Sequence, residues 1–339
     1  MSSIEKDLSE QRRVFGVPIP DDPMASIRAA AKRIRRRSMV TRDPESVIWF
    51  RRAVLKHKPV LYRFEVQLVD HCNLDCRGCE HFAGLCRERF ADLAEFETDM
   101  QHMANLFSRV RQIHLIGGEP LLHPKVLDFC KIARATFPES RIYLRTNGVL
   151  LMRQSEEFWS ALAASKITLL VAPYPIGIPE LEITLAAKQR HVKLEWVDLD
   201  EELVKVPIDP RTRYDAAASF QQCQGLKNRP LLRNGRLYPC AYIAFADVFR
   251  EQFNLPGLQV YPTDWIGIRD EPDPEHVFKF LRNPVHWCSN CDMDSRSSYT
   301  WAPSAHHISE WTSAPPPSVR QTTGELPPTA PGGLPGGPQ

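Results

Sequence analysis

Nine cysteines lie in this chain of 339 residues, and seven of them fall into two sets. The first is Cys72, Cys76 and Cys79, spaced CxxxCxxC within Asp70–Phe82. The apolar run Phe64–Val69 leads straight into it, so a strand should deliver three sulfurs to the mouth of a sheet. Three thiolates are one short of a closed iron–sulfur site. A [4Fe–4S] cluster held this way keeps one iron for a ligand that is not protein. Zinc and plain buried thiols are the bland alternatives, but no partner knuckle lies close by to complete a zinc site.

The second set is looser. Cys223 and Cys240 are separated by eleven residues, Gly235 and four residues, and Cys288-Ser289-Asn290-Cys291 follows. Two thiols near a hairpin (Arg229–Leu232 and Gly235–Tyr238) and two in a CxxC knuckle suit zinc or a Cys₄ iron–sulfur cluster, and composition does not separate them. The remaining thiols are Cys130, on the apolar side of an expected helix, and Cys86, just beyond the first set.

The elements that must carry these residues alternate. Strands are expected near Arg63–Val69, Gln112–Ile116, Arg141–Leu144, Ile167–Val171 and Val192–Val197. Helices are expected at Leu93–Phe107, Pro124–Ala135, Glu156–Ala164 and Glu180–Arg190. Such alternation argues for a parallel α/β sheet with ligands at the carboxyl ends of the strands. Two strand ends stand out: Gly117-Gly118-Glu119-Pro120, and Thr146-Asn147-Gly148.

The cysteine loop followed by GGEP resembles the radical S-adenosylmethionine (SAM) superfamily over roughly residues 61–200. The resemblance implies a partial (β/α)₆ TIM-like barrel in which Cys72, Cys76 and Cys79 hold a [4Fe–4S] cluster. In that family the open iron chelates the methionine end of SAM, and reduction releases a 5′-deoxyadenosyl radical. It further implies that Gly117, Gly118, Glu119 and Pro120 grip SAM and that Asn147 contacts it, with Phe82 beside the adenine. One departure is Gly78, where the family usually has an aromatic residue before the third cysteine. The sequence holds no clear copy of the family's later ribose-contacting motif.

The second set resembles the twitch form of the SPASM extension. That implies an auxiliary [4Fe–4S] cluster on Cys223, Cys240, Cys288 and Cys291 in a small α+β region. Relatives of this type oxidise an aminocyclitol, epimerise amino sugars or mature peptides. The expectation is therefore radical oxidation or epimerisation of a hydroxylated small molecule, served by a flavodoxin- or ferredoxin-type electron donor. A peptide maturase is one alternative; residues 1–60 look too short and too poor in strands for the peptide-binding unit many such enzymes carry. A zinc-stabilised nucleic-acid-binding module is the other, and it leaves Gly117–Pro120 unexplained. No catalytic side chain is assigned, although Arg145 and Glu195 are candidates for substrate contact.

The net charge of +2 does not advertise a nucleic-acid partner. No long uncharged apolar run suggests a membrane span. An odd number of cysteines in a long chain suits a reducing, cytoplasmic setting. Residues 1–60 read as a basic helical extension, with helices near Ala25–Arg37 and Pro44–Lys58. Residues 61–205 read as the core, 206–312 as the auxiliary region and 313–339 as a disordered Pro/Gly-rich tail. Trp287, Trp301 and Trp311 flank the last knuckle, either as shields for a cluster or as ordinary packing.

Overall fold

A computed structural model describes residues 58–199, 203–223, 229–271 and 273–313, together with two short strands near the N-terminus. The chain divides into two compact units, residues 1–58 and 59–339. In the first, β1 (Arg13–Val14) pairs antiparallel with β2 (Val17–Pro18). That pairing was not expected there. The expected N-terminal helices and the tail beyond Ser313 lie outside the described residues.

The second unit is built on an eight-stranded sheet. Its parallel part runs β3 (Val60–Val69), β4 (Arg109–Gly117), β5 (Arg141–Thr146), β6 (Ile167–Val171) and β7 (Lys193–Trp196). Parallel neighbours need crossovers. These are α1 (Leu93–Leu106), α2 (Val126–Thr136), α3 (Glu156–Ala164) and α4 (Glu180–Gln189). Local chemistry starts the helices where the sequence allows. Asp92 accepts from the Ala94 and Glu95 amides at 2.9 Å to cap α1, and Ser155 caps α3 through the Phe158 amide. Phe96, Met100 and Met103 then recur at helical spacing on the buried side of α1.

Register explains how the sheet serves two surfaces. Phe64, Ile113, Ile142 and Ile167 form one cross-strand row, and Val66, Leu115, Leu144, Leu169 and Leu194 another. These apolar rows build the main core, together with side chains from the helices. The row between them is Glu65, His114, Tyr143, Thr168 and Lys193. Side chains alternate faces along a strand, so this polar row belongs to the opposite, concave face. There the His114 ring stacks on Tyr143 with centroids 4.4 Å apart.

The sheet does not end at the expected core boundary. The segment after α5 (Ala216–Gln222) returns as β9 (Leu231–Arg233), which pairs parallel with β3. Then β10 (Arg236–Tyr238) and β11 (Ile266–Gly267) extend that edge antiparallel. The turn at Asn234-Gly235 is the hairpin expected from sequence, with both residues at positive φ. A second core lies beneath this region. It gathers Phe82 and Ile116 with Leu231, Tyr242, Phe249, Trp287 and Trp311. A short pair, β8 (Val204–Lys205) with β12 (Ser297–Ser298), starts the return of the chain toward the cysteine loop.

The concave face buries charge. Burial would raise the Glu65 carboxyl, but Arg63, then Arg229, His114 and Arg145, outweigh it and hold it at about 2. Burial and the neighbouring Arg63 push His114 down to about 3, so its imidazole is neutral. Removing Glu65 takes the partner carboxylate from Arg63 and part of the countercharge from Arg229 and Arg145. Glu65→Gln should lower the unfolding free energy by ~3 kcal/mol at pH 7. Because the folded carboxyl lies below its ordinary 4.5, its contribution is complete above that pH and fades as pH falls toward about 2. Urea melts from pH 7 downward should therefore fall less steeply below pH about 4.5 in the Gln variant.

Candidate functional site

A cleft opens at the carboxyl ends of β3, β4 and β5. Cys72, Cys76 and Cys79 line it together with Gly117, Gly118, Thr146 and Asn147. Glu65, Glu80, His81, Arg145, Tyr174, Arg229 and Tyr299 complete its lining. Sequence spacing and strand order thus bring the CxxxCxxC loop, the GG pair and Asn147 to one place.

The glycines answer to the protein's own backbone. A Cβ on Gly118 would lie 2.0 Å from the His71 carbonyl oxygen, and one on Gly117 would lie 2.7 Å from that of Val69. The Gly118 amide donates to Val69 O at 2.7 Å and the Glu119 amide to His71 O at 3.2 Å. Any larger residue would push the start of the cysteine loop off the end of β4.

Glu119 departs from its expected position. Its side chain is fully buried and turned inward. One oxygen accepts from the Leu121 amide at 2.9 Å and the Thr146 hydroxyl at 2.7 Å, and the other from the Asn147 amide at 2.8 Å. Burial lifts this carboxyl to about 7, although the three donors pull the other way. Its work is to tie the end of β4 to the end of β5. Pro120 is buried as the first residue of a short 3₁₀ turn. Asn147 then passes the constraint on: its Nδ2 donates to Asn73 Oδ1 at 2.7 Å and lies 3.8 Å from Cys72 Sγ.

Phe82 is a correction. It lines no part of the cleft; it is fully buried in the second core, with its ring 4.8 Å from Phe249 and 5.6 Å from Tyr242. Its positive φ of 50° turns the chain there, so the ring leaves the side on which the sulfurs sit. Glu195 is another. It pairs with Lys193 at 2.6 Å on β7 and lines no part of the cleft, whereas Arg145 does line it.

Sequence reasoning missed a strap, residues 299–311, that crosses the cysteine loop. Arg77 N donates to Ala302 O at 2.9 Å, and Ser304 N to Asp75 O at 2.8 Å. His306 bonds Asp75, Trp301 Nε1 donates to Cys76 Sγ at 3.1 Å, and Trp311 Nε1 donates to Cys79 O at 2.9 Å. Gly78 has φ +68°, and a Cβ there would meet Glu310 O at 3.3 Å and Tyr299 Oη at 3.5 Å. The left-handed φ, with the Glu310 carbonyl close by, accounts for glycine at that position, and the Tyr299 ring fills the space beside it. The run Tyr299-Thr300-Trp301, soon after a CxxC, was the available signal.

Cys223, Cys240, Cys288 and Cys291 share one small pocket walled by Val206, Phe220, Pro239, Ile243 and Trp287. Cys223 ends α5 and Cys240 precedes a short helix, Ala241–Ala244. Cys288 lies within, and Cys291 ends, a 3₁₀ turn (His286–Asn290) fixed by Asp209 N to Asn290 O and Asp292 N to Pro207 O. Trp287, on the wall, has a buried indole N–H without an acceptor among the described residues. None of the nine cysteines is in a disulfide. Cys130 is core packing, and Cys86 packs against the second core outside both pockets.

Donor chemistry fits metal at both places. Burial pushes the Cys76 thiol up to about 12 and Cys288 to about 11, and raises Cys72, Cys79, Cys240 and Cys291 as well. A bound cation reverses that penalty by fixing the thiolate. Amide and indole N–H groups already point at the first set, with Leu74 N at 3.3 Å from Cys72 Sγ. In a [4Fe–4S] cluster each thiolate binds its own iron.

The Glu119 arrangement has a measurable cost when broken. Glu119→Gln sets an amide NH₂ against a backbone or hydroxyl donor and should cost ~1–3 kcal/mol in denaturant melts. Thr146→Val removes one of three donors and should cost less, about 1 kcal/mol.

The radical SAM superfamily model matches residues 66–173. A GTP 3′,8-cyclase of Chlorobaculum tepidum is 35% identical over 222 residues, covering 57% of this chain and 67% of that one. A GTP 3′,8-cyclase of Microcystis aeruginosa is 34% identical over 99 residues, covering 28% of this chain and 30% of that one. Among solved structures, BtrN in complex with AdoMet and 2-DOIA is 17% identical with a TM-score of 0.42, covering 68% of this chain and 93% of that one. No helix among the described residues is long and apolar enough to cross a membrane. With three thiols and a glycine pair at one strand edge and relatives of this kind, the chain belongs to the radical SAM superfamily, whose members use a [4Fe–4S] cluster and S-adenosylmethionine.

Proposed function

We propose that this radical SAM enzyme oxidises a hydroxylated small molecule, such as a sugar, aminocyclitol or amino sugar, at a carbinol C–H bond. The observation that carries the reading is the second thiol set, four cysteines around one apolar pocket. In this reading they hold an auxiliary [4Fe–4S] cluster with no iron left for substrate, so its task is electron transfer. Zinc is the rival occupant. Iron and sulfide content separates the two.

Cys72, Cys76 and Cys79 hold the SAM-binding cluster, with Gly117, Gly118 and Asn147 on the SAM side of the cleft. When bound, cluster and SAM supply the 5′-deoxyadenosyl radical that takes a hydrogen atom from substrate. The remaining polar lining is the substrate side in this reading. His81 Nε2 is buried there without a partner among the described residues, and burial keeps its ring neutral by lowering its pKa. Arg229 pairs with Glu80 at 2.9 Å. Tyr174 and Tyr299 add hydroxyls to the lining. Closely spaced neutral and paired polar groups suit a ligand carrying several hydroxyls.

The oxidation balances as follows. The alcohol R₂CH–OH loses a hydrogen atom from carbon, a proton from oxygen and one electron, and becomes R₂C=O. An auxiliary cluster held by Cys223, Cys240, Cys288 and Cys291 would supply the acceptor for that electron. Epimerisation returns a hydrogen atom to the opposite face and needs no such acceptor, so the second thiol set favours oxidation. The first reduction draws on a flavodoxin- or ferredoxin-type donor. The names of the curated relatives, together with Arg145 and Arg229 in the cleft, favour a second reading, radical cyclisation of a purine nucleoside triphosphate.

Anaerobically reconstituted protein should contain about eight irons and eight acid-labile sulfides per chain. With dithionite and SAM it should form 5′-deoxyadenosine, and formation should rise with an aminocyclitol or amino sugar rather than with GTP. About four irons per chain would remove the auxiliary cluster. A response to GTP alone would favour cyclisation, and no 5′-deoxyadenosine with any reductant would end the radical reading.

A further inference from the structure

Trp301 lies on the strap that follows the Cys288–Cys291 knuckle, yet its Nε1–H donates to Cys76 Sγ at 3.1 Å across 225 residues of sequence. The backbone around it is fixed to the same loop. Cys76 faces Pro303 in an antiparallel bridge, and Ala302 O accepts from Arg77 N at 2.9 Å. The ring also leans on Tyr174, with centroids 6.0 Å apart. The indole is therefore held in place as a donor by contacts on both sides.

We propose that Trp301 is a positioning residue that sets the reduction potential of the SAM-binding cluster through its hydrogen bond to Cys76. This rests on Cys76 being a ligand of that cluster. Reduction adds negative charge that spreads onto the ligand sulfurs. An N–H donor aimed at a sulfur stabilises the reduced form more than the oxidised one and raises the potential. Cys72 takes its nearest donor from the Leu74 amide, which no side-chain change removes. Asn147 Nδ2 also approaches Cys72 Sγ, at 3.8 Å; the Trp301 indole, at 3.1 Å from Cys76 Sγ, is the closer side-chain donor and the one supplied by the strap. The same indole reaches from the knuckle of the second thiol set, so the chain segment that serves one site adjusts the other.

The test uses full-length reconstituted protein with SAM bound. Redox titration followed by electron paramagnetic resonance reads the SAM-sensitive signal apart from the second cluster. Trp301→Phe keeps a flat ring and deletes the donor; Trp301→His keeps a ring N–H. The Phe variant should shift the SAM-sensitive midpoint to a more negative potential and leave the other midpoint where it was. The His variant should recover most of that shift. An unchanged SAM-sensitive midpoint in the Phe variant, an equal shift of both clusters, or a His variant as shifted as Phe would each overturn the proposal. Should the Phe variant fail to retain its iron, the His variant decides alone: a midpoint near that of the unsubstituted protein supports the role, and a displaced one overturns it. Failure of the underlying assignment looks different, because the unsubstituted protein would then show no SAM-sensitive signal.

Discussion

Hydrogen bonds from residues 301–311 fix a loop that has almost no regular structure of its own. Between Asp70 and Gly84 the chain makes turns and a single bridge residue. Ordering such a segment costs on the order of 1–2 kcal/mol for each residue's backbone. Were the loop free, that cost would fall at the moment the sulfurs had to converge. Here Ala302, Pro303 and Ser304 pair with Asp75–Arg77, and Asn147 holds Asn73 from the other side. The loop is clamped between the strand ends and a segment from the far end of the fold, so the three thiols can face the cleft before anything binds.

The sheet makes this clamp possible because one two-residue period serves both of its faces. Apolar rows hold the helices, while the polar row from Glu65 to Lys193 looks toward the ligand side. Buried charge is tolerated there only as a network. Arg63 and Arg229 hold Glu65 ionised, and Arg229 reaches Glu80 on the cysteine loop itself. Arg229 immediately precedes Pro230, whose carbonyl accepts from Glu65 N at 2.8 Å. The returning strand thus brings both backbone pairing and countercharge to β3. A sheet ending at β3 would leave the floor of the cleft with an unbalanced set of ions.

Local sequence made much of this legible. The strand–helix alternation from Leu93 to Trp196 appeared with its elements in the right order and close to their bounds, because helix caps and apolar periodicity are local properties. The CxxxCxxC spacing and the two strand ends were legible for the same reason. What the side chains do was less so. The acid in Gly-Gly-Glu-Pro suggested a ligand contact, but Glu119 satisfies two backbone amides and a hydroxyl from its own fold. Phe82 stood next to the cysteines in sequence, yet a left-handed residue sends its ring into the second core. The partners of Tyr299 and Trp301 were invisible because they lie more than two hundred residues upstream, and no periodicity encodes a contact of that range.

The two sulfur sites also share a core. Ile116, from the lining of the cleft, Phe82, from the first loop, and Ile243 and Trp287, from the lining of the second pocket, belong to one buried cluster. Trp311 joins it as well and bonds the Cys79 carbonyl. A group bound by Cys288 and Cys291 would hold the knuckle from which the strap departs, and the strap holds Cys76 and Cys79. Loss of that group would therefore loosen the clamp on the first loop. That effect is independent of any electron flow, because it follows from chain connectivity and a shared core alone.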